Sequence, residues 1–175
     1  MKKIKGLYIE DELANIKTYT KFFELAGFEI IYLENLLDSP EKYYDFICEN
    51  NVDFIIIDNH LDKQAVNYDG FKILQEIRKQ DPNIYILLLT NFEYESKDNL
   101  GDLDQTVNKE DFVKKFSEIT ERIKRAHLRR ISMNAAEDIK DVLDLKIKES
   151  NKQLVELDRI SKNLEKLVTT DCTEN

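Results

Sequence analysis

Tryptophan is missing from this 175-residue chain, and proline, cysteine and histidine occur twice each. Of the two cysteines, Cys48 falls in a predicted helix and Cys172 in a polar tail, so they form no disulfide framework and read as reduced, unpaired thiols. Long apolar runs are also missing: no stretch approaches the ~18 residues a membrane helix needs. The charged start Met1-Lys2-Lys3 is followed by an apolar run too short for a signal peptide. The expectation is a protein that is neither exported nor membrane-spanning, hence cytoplasmic. Positive charge is in deficit, with 26 Lys and Arg against 35 Asp and Glu, a net charge of −9. Such a surface repels nucleic-acid phosphates, and direct DNA binding is not expected. Glycine is scarce, and after Gly101 neither glycine nor proline appears, so no residue type that stops a helix occurs in the last third.

What is present is 42% apolar and 35% charged residues, the mixture of a folded and rather helical protein, with enough chain for one main core and an appendage. Residues 4–9 read as a short buried strand ending in three acids, Glu10, Asp11 and Glu12. Helical spacing follows in Ile16, Tyr19, Phe23 and Ala26, with Gly27 placed to end the helix in a left-handed conformation. A strand is predicted at 29–33, then a helix from Ser39 and Pro40 to about residue 50, with Tyr44 and Ile47 on its apolar stripe. Residues 52–57 contain the run Phe54-Ile55-Ile56-Ile57, which suits a strand covered on both faces, and the run stops at Asp58. Asp69-Gly70 opens a helix carrying Phe71, Ile73, Leu74 and Ile77. Residues 84–89 form a fourth strand with Thr90 at its end; a polar stretch, with a fourth helix that is short or distorted, and a weak strand at 105–108 lead to Lys109 and a long helix from about Asp111.

Alternation of buried strands with helices implies an α/β fold, a doubly wound five-stranded parallel sheet between helical layers, with its site outside the carboxyl ends of the strands. Those ends carry Glu10, Asp11, Asp58, Thr90 and Lys109. If the first and third strands flank the point where strand order reverses, at least three carboxyl groups converge. Two such charges about 4 Å apart repel by roughly 4 kcal/mol at an effective dielectric near 20. A cation must offset this. Oxygen ligands beside water and a phosphate suit Mg²⁺, and Lys109 supplies a second positive charge. The set amounts to a phosphoryl-transfer site: Asp58 as nucleophile, Thr90 as donor to a phosphoryl oxygen, Lys109 as its counter-charge.

The segments Tyr8-Ile9-Glu10-Asp11-Glu12, Asp53-Phe54-Ile55-Ile56-Ile57-Asp58, Asp69-Gly70-Phe71 and Leu89-Thr90, with Lys109, resemble the ordered motifs of response-regulator receiver domains over residues 1–125. The resemblance implies the flavodoxin-like strand order 2-1-3-4-5. It also implies that Asp58 is the phosphoacceptor, that Glu10, Asp11, Asp58 and the His60 backbone carbonyl hold Mg²⁺, and that Thr90 and Lys109 read the phosphoryl group. A histidine kinase or phosphotransfer protein is then the expected partner, with catalysis limited to self-phosphorylation and self-dephosphorylation. The His60 ring itself reads as a solvent-facing loop side chain. Departures from the pattern are Thr106 where the family carries an aromatic residue, Asp62 and Glu110 where it carries proline, a longer loop at 61–68, and an acidic stretch with Asp98, Asp102 and Asp104.

The receiver part is expected over residues 1–130 and a helical extension over 131–175. Phe112, Phe116, Ile119, Ile123 and Ala126 form the buried stripe of a fifth helix, and Ser132-Met133-Asn134 is the one candidate interruption after it. Beyond that, Leu143, Ile147, Ser150, Leu154, Leu157, Ser161, Leu164 and Val168 alternate spacings of four and three. That is a heptad seam of about 26 residues, roughly 40 Å of helix, which reads either as a coiled coil with itself or a partner protein, or as a helix folded back on the receiver. The basic cluster Arg122, Lys124, Arg125, Arg129 and Arg130 reads as a solvated face, and residues 131–175 carry no DNA-binding motif. Two functions compete: a phosphorylation-controlled signalling protein acting through its tail, and a constitutive adaptor whose receiver fold only docks.

Overall fold

In the computed structural model, residues 3–62, 66–91 and 103–171 are described, with side chains up to residue 162. The chain divides into two compact units, Met1–Arg130 and Ile131–Asn175. In the first, strands β1 (Lys5–Ile9), β2 (Glu29–Tyr32), β3 (Phe54–Ile57), β4 (Tyr85–Thr90) and β5 (Gln105–Asn108) form one parallel sheet in the order β2-β1-β3-β4-β5. Helices α1 (Leu13–Leu25), α2 (Lys42–Glu49) and α3 (Gly70–Gln80) connect them, and a 3₁₀ turn at Lys109–Asp111 leads into α4 (Phe112–Asp171). The expected strand order is therefore present. The region of the expected short fourth helix, with Asp98 and Asp102, lies outside the described residues, as does Cys172.

Successive side chains of a strand point to opposite faces, and because both faces are covered the central strands β3 and β4 are apolar nearly throughout. Leu7, Ile9, Ile55, Ile57, Ile86 and Leu88 face Tyr43, Ile47, Ile73, Leu74 and Ile77 of α2 and α3. Their neighbours Tyr8, Phe54, Ile56, Leu87 and Leu89 face Ile16 and Phe23 of α1 and Phe112, Ile119 and Ile123 of α4. Burying such a side chain contributes about 1.5–3 kcal/mol, so both faces hold the sheet in place. On α2, Tyr43 rather than the expected Tyr44 is fully buried. Its hydroxyl accepts from the Leu37 backbone N–H at 3.3 Å, which anchors the loop before the helix.

Gly27 ends α1 at φ 91°, the left-handed conformation its position predicts. Helix α2 starts at Lys42, later than the Ser39-Pro40 signal. The bonds Lys42 N–H to Ser39 O and Tyr43 N–H to Pro40 O close tighter, i→i−3 turns first. No interruption occurs at Ser132-Met133-Asn134, since α4 runs unbroken from Phe112 to Asp171. Serine and asparagine each cost a helix under ~1 kcal/mol relative to alanine, whereas glycine or proline, neither of which follows Gly101, cost more. The last turns of α4 within the first unit are tied to the amino ends of β3 and β4. Arg130 Nη2 donates to Asp81 Oδ2 at 2.7 Å, and its Nη1 donates to Val52 O at 3.5 Å. Arg122 and Lys124 pair along the helix with Glu118 and Glu121, so each of these members of the basic cluster has an acidic neighbour on its own side of the helix.

Candidate functional site

Strand order sets the position of the site. Between β1 and β3 the sheet reverses its direction of growth, and the loops leaving those two strands diverge to opposite faces. Pairing of Ile9 with Ile57 places the next residues, Glu10 and Asp58, side by side, and the Asp58 N–H donates to Ile9 O at 3.0 Å. Thr90 closes β4 on the far side of β3, and Lys109 follows β5, opening the 3₁₀ turn.

Four of these polar residues are buried: Glu10 is 2% exposed, Asp58 6%, Thr90 3% and Lys109 7%. The Lys109 ammonium bridges the two acids, with Nζ 2.7 Å from Glu10 Oε2 and 2.6 Å from Asp58 Oδ2. Charged groups withdrawn from water to this degree persist only when paired and hydrogen-bonded, and the pairing meets that need. Burial drives the Glu10 carboxyl above its usual range despite the hydrogen bond from Lys109. Burial pulls the Lys109 ammonium down, but the hydrogen bonds and charges of Asp58 and Glu10 more than offset this and leave it raised.

Glu10 has further support that the sequence does not advertise. Its Oε2 accepts from the Tyr8 hydroxyl at 3.3 Å and from Asn15 Nδ2 at 3.2 Å, and its Oε1 accepts from the Glu12 N–H at 3.1 Å. Burial, then the charges of Glu10 and Asp58, push the Tyr8 phenol far up, so it acts here as a neutral donor. The strand period of two between Tyr8 and Glu10 was the available signal for this pair. For Asn15, on the first turn of α1, there was none.

Asp11 lies one residue beyond Glu10 and is partly exposed, while His60 presents an exposed side chain. The His60 backbone N–H donates to Asp58 Oδ1 at 3.3 Å, fixing the loop against the acid. Behind that loop, the Gly70 N–H donates to Asn59 O at 3.0 Å, and the first turn of α3 packs directly on the Asp58 backbone. Among the described residues, no group of three or more Asp, Glu, His or Cys side chains stands ready to cage a metal ion. A Mg²⁺ ion takes one or two protein carboxylates and fills its remaining positions with water and phosphate oxygens. Glu10 and Asp58 both reach a single cationic atom, Lys109 Nζ, so two carboxylates already converge on one positive charge. A groove of about 470 Å³, lined by Tyr85, Asp104, Arg122, Arg125, Leu128 and Arg129, lies at the amino ends of β4 and β5 and includes none of the site residues.

The fold and the strand-end cluster define a receiver domain. The family model described as "Response regulator receiver domain" matches residues 7–127, and the chain belongs to that family. Among solved structures, the response regulator protein TrrA of Thermotoga maritima, in complex with Mg²⁺ and BeF, is 25% identical with a TM-score of 0.56, the match covering 71% of this chain and 99% of that one. A signal receiver domain of a putative LuxO repressor protein from Vibrio parahaemolyticus (19% identity, TM-score 0.59, 74% and 97% covered) has the same fold. So does a CheY-like receiver domain from Methylobacillus flagellatus (18% identity, TM-score 0.57, 70% and 99% covered). No curated protein matched the chain.

Proposed function

We propose that this chain is a phosphoacceptor signalling protein of the two-component type. Asp58 takes a phosphoryl group from a histidine kinase or phosphotransfer protein with Mg²⁺ present, and the helical extension passes the state on by protein contacts. The observation that carries this reading is the buried Asp58 carboxylate at the strand-reversal point, 2.6 Å from the Lys109 ammonium. A buried acid at a strand end, held by a lysine, is positioned as a nucleophile rather than as a solvated turn residue.

In this reading an Asp58 oxygen attacks phosphorus while the bond to the donor nitrogen breaks, leaving an acyl phosphate. Lys109 then pairs with the new phosphoryl charge, and the Thr90 hydroxyl donates to a phosphoryl oxygen. Glu10, Asp11, Asp58 and the His60 carbonyl would hold Mg²⁺, which when bound supplies positive charge against the phosphoryl oxygens. No external substrate is turned over; the only chemistry is gain and loss of the phosphoryl group on Asp58. Among the described residues no helix is long and apolar enough to cross a membrane, in keeping with a proposed cytoplasmic setting.

Intact-mass measurement after incubation with Mg²⁺ and acetyl phosphate tests this. The wild-type chain gains one phosphoryl mass, while Asp58→Asn, or chelation of Mg²⁺, abolishes the gain. No adduct on wild-type protein, or an undiminished one on Asp58→Asn, refutes the reading.

One observation favours a second reading, a constitutive adaptor. Thr106, exposed on β5, has no ring to reorient when the site is charged. An adaptor's assembly is indifferent to BeF₃⁻ with Mg²⁺, a phosphoryl mimic, whereas that of a phosphorylation switch is not.

A further inference from the structure

We propose that the helical extension pairs with a second copy of this chain, as a parallel, in-register, two-stranded coiled coil whose seam is Leu143, Ile147, Ser150, Leu154, Leu157 and Ser161. This names the partner in the output step proposed above, and its signalling meaning rests on that reading.

Every described side chain from residue 131 to 162 is exposed. Leu143, Ile147, Leu154 and Leu157 are 54%, 57%, 62% and 62% exposed, an apolar stripe of a size that soluble proteins cover. Its spacing of four and three is the 3.5-residue period at which one helix meets another along its whole length.

Three features select the occupant. Ile147 falls at the position where a β-branched residue favours two parallel strands, and Leu143 and Leu157 fall where leucine does so. Flanking residues select the direction. On one side of the seam stand Asp144, Asn151 and Asp158, and on the other Lys146, Gln153 and Ile160. An antiparallel partner brings the acidic sides together, Asp144 against Asp158. A parallel partner sets Lys146 beside Asn151 and Gln153 beside Asp158, with no like charges in contact. The serines select the register. In register, Ser150 and Ser161 each meet their own copies and exchange hydrogen bonds. A shift of one heptad buries the Ser150 hydroxyl against leucine without a partner, at a cost of about 1–3 kcal/mol per group.

Analytical ultracentrifugation of the full-length chain provides the test. The wild type equilibrates between monomer and dimer. Leu154→Asp, on the seam, raises the dimer dissociation constant at least about 100-fold, since a charge then meets a charge in a core layer. Leu145→Asp, at a site 65% exposed and off the seam, leaves it within about 3-fold. Ser161→Cys, in a chain also carrying Cys48→Ala and Cys172→Ala, oxidises to a covalent dimer, because only a parallel, in-register pair brings residue 161 to its own copy. A chain monomeric at all concentrations, a trimer, a dimer that survives Leu154→Asp, or a dimer that Ser161→Cys does not cross-link overturns the proposal. Asp58 phosphorylation, read by intact mass on the same samples, separates the two ideas: an adduct without dimer refutes only the coiled coil, and a dimer without adduct refutes only the phosphoacceptor reading.

Discussion

Removing the Lys109 ammonium would leave the Glu10 and Asp58 carboxylates facing each other at 1% and 9% side-chain exposure with no cation between them. Breaking a buried ion pair in this way costs about 3–5 kcal/mol, so Lys109→Met should lose that much in urea denaturation near neutral pH. The loss should depend on pH in both directions. Lys109 has a raised value in the folded state, so its contribution is complete below its unfolded value of about 10.4 and disappears as pH rises through the folded one. Glu10 is raised too, so its ionised form costs stability, and that cost is relieved as pH falls and it binds a proton. The difference between wild type and Lys109→Met is therefore widest between these limits and narrows on either side; a gap equally wide at acid pH contradicts the account. At this scale the sequence was most legible in where residues lie, since the ends of the strands could be read and with them the positions of Glu10, Asp58, Thr90 and Lys109. Tyr8 and Asn15 were not read as partners of Glu10, because their hydrogen bonds depend on how α1 settles against β1.

The start of α3 lies directly against the backbone of Asp58. A Cβ on Gly70 would lie 2.2 Å from the Asp58 carbonyl oxygen, a backbone atom that cannot rotate away. One position earlier, the Asp69 side chain caps the same helix by accepting from the Lys72 N–H at 2.9 Å. These two neighbours should behave differently. Asp69→Ala costs about 1 kcal/mol of thermal stability, the usual worth of a cap, and leaves the rate of Asp58 phosphorylation nearly unchanged. Gly70→Ala must displace either the helix or the Asp58 backbone, so it should slow phosphorylation beyond what its stability loss accounts for. Equal effects on phosphorylation from the two variants would show that the contact does not position the acid. The Asp69-Gly70 signal was visible in the sequence because a cap and a small residue form a local pattern. Strand β5 was legible for a similar reason, between polar neighbours and Lys109. The start of α2 and the continuity of α4 through Ser132-Met133-Asn134 were read less well, since both turn on differences of well under 1 kcal/mol between adjacent helical turns.

For the whole molecule, the two compact units differ in what stabilises them. Residues up to Arg130 are fixed by a sheet covered on both faces, whereas residues 131–162 expose every side chain and draw no support from a core. An isolated helix in water is marginal even when its sequence favours helix, and most helical stability in proteins comes from packing an apolar face. A paired seam supplies that packing only when a second chain is present, which makes order in the extension a function of concentration. Hydrogen exchange should show this directly. In dilute protein, amides between 135 and 160 exchange quickly while those of β1, β3 and β4 stay protected. As concentration rises through the dimer dissociation constant, protection grows along the extension and remains constant in the sheet. Helical circular dichroism should fall on dilution over the same range. Protection of the extension that is strong and independent of concentration would mean that the helix is held within a single chain, and the coupling of order to pairing would fail.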